Sequence, residues 1–331
     1  MTPLYTQNTG IVVKHQYGAF LCPTRYKKIT SSIILLIGLL IIRNVSMASD
    51  DISTVPLATF DFTIAETLNA IGHPPKFLAG LEIYEKYDGI IPRATNLGYI
   101  HLPNLELLAS LPARRILISP PAHVSLIPRL REIADVEEYP FYKFSNTNNE
   151  QDHWNVIEDV TRMLGDLVSA PAASEQYIEQ TNHRFDDLKK QINSIDTPLL
   201  IIRLMDERHA RVHGNGSIEG MVLNRLGLRN AWQEKTGQWG FTTTSVGPLF
   251  NTNAKMIFLN SPYDPPGRQR QLLTDGQWRH LPSVRQGNYT IIPINYWLWG
   301  GLPSALRFAE SLVSHLIEGG NTSITSSATN R

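Results

Sequence analysis

Residues 171–195 read PAASEQYIEQTNHRFDDLKKQINSI, and the architecture turns on them. Ile178, Phe185, Leu188, Ile192 and Ile195 are spaced by seven, three, four and three, the repeat of one face of a helix. At 1.5 Å per residue such a helix spans roughly 30 Å, the width of a small domain. An ordinary surface helix would show the same repeat, so its role follows from its two flanks.

On the N-terminal side, short apolar runs alternate with helical patterns. Pro56–Phe60 reads as a strand. Thr63-Ile64-Ala65-Glu66 reads as a capping box opening a helix, which Gly72 closes. Lys76–Leu81 is short and apolar, Asn104–Ser110 is helical, and Arg115–Ser119 is a strand. Ser125–Ala134 reads as helix, Val136–Tyr139 as strand and Asp152–Leu167 as helix. This rhythm predicts a parallel sheet with helices on its faces.

The alternation restarts after Pro198. Leu199–Leu204 and Ala210–His213 read as strands, and Ser217–Leu226 as a helix stopped by Gly227. Lys255–Leu259 and Tyr289–Ile294 are further strands, and Pro303–Ile317 is the last helix. The expected organisation is therefore α/β: two Rossmann-like lobes joined by a single long helix. The N-terminal lobe is expected over 49–170, the bridging helix over 171–195 and the C-terminal lobe over 196–318. Residues 319–331, rich in Gly, Ser, Thr and Asn, read as a disordered tail.

The charge balance marks off another segment. Thirty Lys+Arg and thirty Asp+Glu sum to zero. Residues 1–48, however, hold Lys14, Arg25, Lys27, Lys28 and Arg43 and no acid. The remainder has 30 − 5 = 25 bases against 30 acids, a formal −5. Lys27 and Lys28 precede the apolar run Ile33–Ile42, and Ser46-Met47-Ala48 supplies small residues, so 1–48 reads as a signal segment for export. The run is short for a membrane span of about 20 residues, and an uncleaved membrane anchor is the alternative reading. The long stretch ahead of Lys27 points to a start downstream of Met1. The only cysteine, Cys22, precedes the run, so the mature chain has no disulfide or thiolate metal site, and a core must hold it. A balanced charge with no basic cluster argues against nucleic acid as a partner.

Catalytic signatures are missing from the sequence: it contains no G-x-S-x-G, no Walker loop and no H-E-x-x-H. Gly214–Gly220 lies between a strand and a helix, where phosphate turns occur, but its third glycine is one position late for the dinucleotide fingerprint. A tight strand–helix turn accounts for it. His209 and His213, four apart, could share a strand face toward a metal, although no third ligand is near in sequence. The adjacent pairs Asp206-Glu207 and Glu137-Glu138 point to opposite faces in extended chain and form no dyad.

Five of six tryptophans lie beyond residue 230, among them Trp239, Trp297 and Trp299. Trp297 and Trp299, two apart, face the same way in extended chain. Such indoles suit an aromatic pocket for a bulky, partly apolar ligand, and they equally suit a packed core.

Five stretches in order carry a resemblance: DFTIAETLNAIG (61–72), PNLELL (103–108), DERHARVHG (206–214), NAWQEKTGQWG (230–240) and WLWGGLPSA (297–305). The chain resembles the periplasmic ferric hydroxamate siderophore-binding proteins of ABC importers, within the wider iron-siderophore and cobalamin binding family. The resemblance implies a ligand cleft between the lobes, a bridging helix that limits lobe closure and capture in place of catalysis. It implies no cofactor, a monomer, iron held by the chelator alone and delivery to an inner-membrane permease. Trp239, Trp297 and Trp299 match the family's cleft aromatics, and Tyr84 and Tyr87 match an aromatic pair of the N-terminal lobe.

Two departures follow. The arginine that grips hydroxamate oxygens in relatives is replaced by Ile100, and a tyrosine of the next segment aligns with His123. Tyr99, His101 and His123 are the neighbouring donors, and either a different ferric chelate or a shifted register that brings in Arg93 is consistent with the change. For permease docking, Glu106 matches the family's first acid. The second position is Asn224, with Glu219 as the nearby substitute. Cobalamin or haem on the same fold, and a dinucleotide-dependent or hydrolytic enzyme using the Gly214–Gly220 turn, are the competing readings.

Overall fold

The structure is a computed structural model that describes residues 56–87, 93–142 and 150–321. The signal reading of 1–48, with Cys22, lies outside the described residues. Among the described residues no helix is long and apolar enough to cross a membrane.

The first half builds a five-stranded sheet from β1 (Leu57–Thr59), β2 (Phe77–Leu78), β3 (Thr95–Asn96), β6 (Arg115–Ile118) and β7 (Asp135–Glu138). A hairpin of β4 (Gly98–Tyr99) and β5 (Leu102–Pro103) lies between β3 and β6 in sequence. Strand order is β3-β2-β1-β6-β7, and every pairing is parallel, as the alternating pattern predicts. The helices are α1 (Phe62–Ala70), α2 (Leu81–Tyr84), α3 (Leu105–Ser110) and α4 (Ile127–Leu130).

Two local expectations change here. Asp61, not Thr63, caps α1: its Oδ1 accepts from Thr63 N at 2.8 Å and Ile64 N at 3.3 Å. The carboxylate satisfies two terminal amides, which frees Thr63 and Glu66 for other partners. Helix over Ser125–Ala134 contracts to a 3-10 turn, Val124–Leu126, and the single turn of α4. Pro128, in the first turn of α4, has no N–H to join a longer ladder. Gly72 closes the end of α1 as expected, with φ +86°.

Helix α5 (Glu150–Leu167) is followed by α6 (Pro171–Gln191), the single long connection between the lobes. Ile178, Phe185 and Leu188 are buried along one side of α6, as their spacing predicts.

The second half forms a sheet ordered β10-β9-β8-β11-β12. Its strands are β8 (Leu199–Leu204), β9 (His209–His213), β10 (Phe241–Ser245), β11 (Lys255–Asn260) and β12 (Tyr289–Pro293). Strands β8, β11 and β12 are parallel, while β9 and β10 are antiparallel additions. The apolar run of β8 is explained by burial on both faces. Leu199 and Ile201 join the large core shared with the N-terminal lobe, and Leu200, Ile202 and Leu204 join a second core around Trp278.

Helices α7 (Ile218–Arg225), α8 (Arg268–Asp275), α9 (Pro282–Arg285) and α10 (Leu302–Asn321) complete the lobe. The last helix runs three residues into the stretch expected as tail, and residues 322–331 lie outside the described residues. Phe62, Ile64 and Leu68 of α1, Phe185 and Leu188 of α6, and Leu302, Ala305 and Phe308 of α10 all belong to one core. The two lobes therefore share apolar contacts beyond the helix that joins them.

Candidate functional site

Trp297 is the hub of an aromatic chain that crosses from one lobe to the other. Its ring lies 5.5 Å from Phe62, stacked at 25°, 5.8 Å from Tyr87 and 5.0 Å from Trp299. Trp299 continues to Trp239 at 6.0 Å, and Trp239 to Tyr142 at 5.7 Å, both edge-on. These separations are those at which aromatic pairs attract. Trp239, Trp297 and Trp299 are each partly exposed, so the chain keeps ring surface open to solvent.

Local structure places each ring. Trp297 and Trp299 sit on the segment between β12 and α10. Trp239 precedes Gly240, whose φ is +75° and whose missing side chain lets the backbone touch the Ser217 turn. A Cβ there would lie 2.5 Å from Ser217 Cα. Tyr142, Trp239, Leu298 and Trp299 line a recess with Ser217 and Met221.

Behind the rings, two buried carboxylates organise the wall. Asp61 Oδ2 accepts from Tyr142 Oη at 3.0 Å, and the Thr63 hydroxyl donates to the Trp299 carbonyl at 2.8 Å. Burial raises the Asp61 carboxyl above its usual range, against the pull of Tyr142 and the nearby His123. Glu66 reaches from α1 to the start of α10. It accepts from Gly301 N at 2.8 Å, Ser304 Oγ at 2.7 Å and Arg307 Nη2 at 2.6 Å. Ser304 Oγ in turn accepts from Trp297 N at 3.0 Å, so Glu66 holds the segment that carries the hub tryptophan. Burial raises Glu66 as well, opposed by the charge of Arg307.

The structure treats the expected residues unequally. Trp239, Trp297 and Trp299 come together. Tyr84 stacks on Phe62 at 3.9 Å and is buried, so it backs the wall without surfacing, and Tyr87 is buried beside Trp297. Tyr99 and His101 sit exposed on the β4–β5 hairpin with rings 5.8 Å apart. Ile100 is turned into the core, and its carbonyl lies 2.8 Å from His123 Nε2. His123 thus braces the hairpin, with its own backbone left-handed at φ 61°. Arg93 is exposed.

Glu106 is exposed in the first turn of α3, behind the cap made by Asn104. Glu219 is a correction: it is fully buried, 2.9 Å from His213 Nδ1 and 2.8 Å from Tyr296 Oη, and it cannot meet a partner's arginine. Burial alone would raise its carboxyl, but His213 and Tyr296 more than offset that and hold it below the usual range.

The histidine pair is also resolved. Along a strand, residues four apart are separated by about 13 Å. His209 pairs with Asp206 at 2.9 Å in solvent, whereas His213 is buried on Glu219. Among the described residues no three ligands gather for a metal. In the Gly214–Gly220 turn, Ser217 Oγ takes Gly220 N at 3.0 Å and donates to Gly214 O at 2.8 Å, a turn closed on itself. A Cβ at Gly220 would lie 2.3 Å from Gly214 O, which is why glycine stands there.

Several residues of the site were not anticipated: Phe62, Tyr142, Tyr263, Arg203 and Arg211. Tyr263, 6.3 Å from Tyr87, carries Lys86 Nζ 4.2 Å from its ring centre. Arg203 pairs with Asp264 at 3.1 Å and stands directly opposite Arg211 across β8 and β9. The only sequence signal for Arg203 is a charge inside an apolar strand. A second groove, about 690 Å³, is lined by Asn215, Asn224, Asn230, Gln233, Asn251 and Asn253 and holds none of the tryptophans.

Two α/β sheets, one connecting helix and an aromatic chain running between the lobes are the architecture of two-lobed solute-binding proteins. The chain belongs to the periplasmic binding protein family, whose model matches residues 57–296. It is 29% identical over 150 residues to the iron(3+)-hydroxamate-binding protein FhuD of Escherichia coli, a match covering 45% of this chain and 50% of the relative. The alignment thus spans half the length of that curated relative. Among solved structures, the Fe3+-Desferal-bound siderophore-binding protein FhuD of Vibrio cholerae superposes with TM-score 0.71 at 22% identity, over 80% of this chain and 98% of that one. The triscatecholate siderophore-binding protein FeuA of Bacillus subtilis, with ferri-bacillibactin, gives 0.62 at 15% identity, over 79% and 92%.

Proposed function

We propose that the chain is an exported binding protein that captures a ferric siderophore, of hydroxamate type, and delivers it to an ABC importer permease of the inner membrane. The observation that carries this reading is the aromatic chain Tyr142–Trp239–Trp299–Trp297–Tyr87, with rings drawn from both lobes. A ferric chelate is bulky, with an apolar rim and a polar metal-binding face. Indole faces remove the rim from water, and hydroxyl and amide groups between them meet the polar face. The names and bound ligands of the relatives support the same class of cargo.

In this reading residues 49–170 and 196–318 are the two walls, and 171–195 is the strut between them. Signal-directed export places the chain in the periplasm as a monomer. The iron stays within its chelator, and the protein supplies no ligand to it. Glu106 is the docking acid on the N-terminal lobe, exposed and carried by a short helix. Tyr99, His101 and His123 flank the gap on that lobe.

The test is quenching of tryptophan fluorescence. Titration with ferric hydroxamates is expected to quench strongly and saturably, while the iron-free chelators quench little. Absence of quenching and of thermal stabilisation across hydroxamate, catecholate and carboxylate chelates would falsify the reading. Retained visible absorption of a corrinoid or a haem in protein purified from its host would replace the cargo and keep the class.

A further inference from the structure

We infer that Arg203 and Arg211 form an anion site on the C-terminal-lobe wall of the cleft, and that the preferred chelate is one of net negative charge presenting a carboxylate or similar oxygen there. The inference rests on the siderophore reading above and adds to it the charge class of the ligand.

Strand β8 reads Leu-Leu-Ile-Ile-Arg-Leu, so a guanidinium interrupts a run that is otherwise core. Alternation puts Arg203 on the face of Leu199 and Ile201, toward the core shared by both lobes, and away from the Trp278 side. Arg211 is its directly opposed neighbour on antiparallel β9. Like charges in that relation repel, so the sheet gains nothing from the pair itself.

The compensating charge is incomplete. Asp264 takes Arg203 Nη2 at 3.1 Å and gives its other oxygen to Gln269 at 3.2 Å. Arg203 Nε is buried without a partner. Arg211 lies 4.5 Å over the Phe241 ring, and among the described residues no carboxylate pairs with it. Burial, and next the Arg203 charge, pull Arg211 below the usual arginine range. A face of Phe241 attracts the cation but does not neutralise it.

The pair looks across to the N-terminal lobe. Arg203 is paired with Asp264, the next residue after Tyr263, whose ring lies 6.3 Å from Tyr87, and Tyr87 in turn lies 5.8 Å from Trp297. Lys86 adds a third cation beside Tyr263. Lys86 and Arg203 thus lie toward the Tyr87–Tyr263 end of the aromatic chain, with Arg211 beside Arg203 on the neighbouring strand and Asp264 as the carboxylate that pairs with Arg203. Guanidinium forks suit paired oxygens. The position where the resemblance expects an arginine is the buried Ile100, so the positive charge here comes from the opposite lobe.

The test uses one iron centre with three tails: ferrioxamine B with its free ammonium, the N-acetyl derivative and the N-succinyl derivative, titrated by fluorescence at low ionic strength. The wild type is expected to bind the succinyl form about tenfold more tightly than the ammonium form, the scale of a two-charge difference at cleft distances. Arg211→Leu should collapse that ratio toward one, and Arg211→Lys, which keeps the charge and controls for misfolding, should retain most of it. Arg203→Leu is expected to act as Arg211→Leu does. Equal affinities in the wild type, tighter binding of the ammonium form, or an unchanged ratio in both leucine variants overturns the inference while leaving siderophore capture intact. Failure of the wild type to bind any of the three overturns the hydroxamate reading and the inference together.

Discussion

Glu66 and Glu219 are both buried carboxylates, yet each does a different job because of what surrounds it. Glu66 gathers three donors, one from Gly301 just before α10 and two from α10 itself, including the Arg307 guanidinium, whose side chain retains 21% exposure. Removing the carboxylate strands those donors, so Glu66→Ala is expected to lower stability by about 2–4 kcal/mol, the range for a buried pair discounted for that exposure. Urea unfolding checks it. The same variant should weaken ferric-chelate binding, because Ser304 links Glu66 to the Trp297 amide. Glu219 makes a prediction in pH. Its folded carboxyl is held below the usual range by His213 and Tyr296, against burial, so the unfolded chain takes up the proton first as pH falls. Its contribution is complete above the unfolded value, about 4.3, and is lost as pH drops through the lower folded value. Urea midpoints from pH 7 to 3 should fall less steeply in Glu219→Gln than in the wild type below about 4.3. Neither role was legible in sequence. Glu66 looked like a local capping residue, whereas Arg307 is 241 positions away. Glu219 looked like a surface acid because burial by Tyr296, 77 positions away, leaves no mark on its neighbours.

Elements with strong local signals were read correctly, and elements held by tertiary contacts were not. Helix α6 shows its apolar repeat in the sequence, and β8 shows an apolar run broken only at Arg203, because each buries side chains at its own period. Strand β10, Phe-Thr-Thr-Thr-Ser, has no such alternation; it exists because β9 offers a free edge and β-branched threonines suit extended chain. The junction of α5 and α6 gives the prediction at this scale. A Cβ at Gly165 would lie 2.3 Å from Ser174 Oγ and 2.6 Å from Ser174 Cβ, so the two helices approach through a glycine. Gly165→Ala is expected to cost about 1–3 kcal/mol by forcing them apart, although alanine favours helix intrinsically. Thermal unfolding of Gly165→Ala, Ser174→Gly and the double variant tests it. The double variant should recover part of the loss, with a residual cost because Ala170 O is 3.3 Å from the same Cβ. Strict additivity would show that the contact is not the cause.

At the scale of the whole molecule, the question is how far the lobes move on binding. One helix joins them, but the chain does not rely on it alone. Phe62 and Leu68 share a core with Leu302 and Phe308, and Glu66 and Thr63 bond directly to the segment carrying Trp297 and Trp299. An apolar core shared by two lobes resists hinge motion, because opening it would expose that area at roughly 25 cal/mol per Å². The wall is therefore expected to be assembled before ligand arrives, and on the proposed reading capture draws little on reorganisation. X-ray scattering is the direct measure. The radius of gyration of a compact unit the size of residues 50–331 is about 19 Å. Ferric-chelate saturation should change it by well under about 1 Å, as in other pre-organised complexes. A larger contraction would mean that the lobes open and close as a hinge. Glu66→Ala supplies the control. If the carboxylate bridge and the shared core together set the stiffness, its loss should leave a variant that is still folded, expands slightly when empty and contracts measurably on ligand. A variant as stiff as the wild type would assign the rigidity to the core alone.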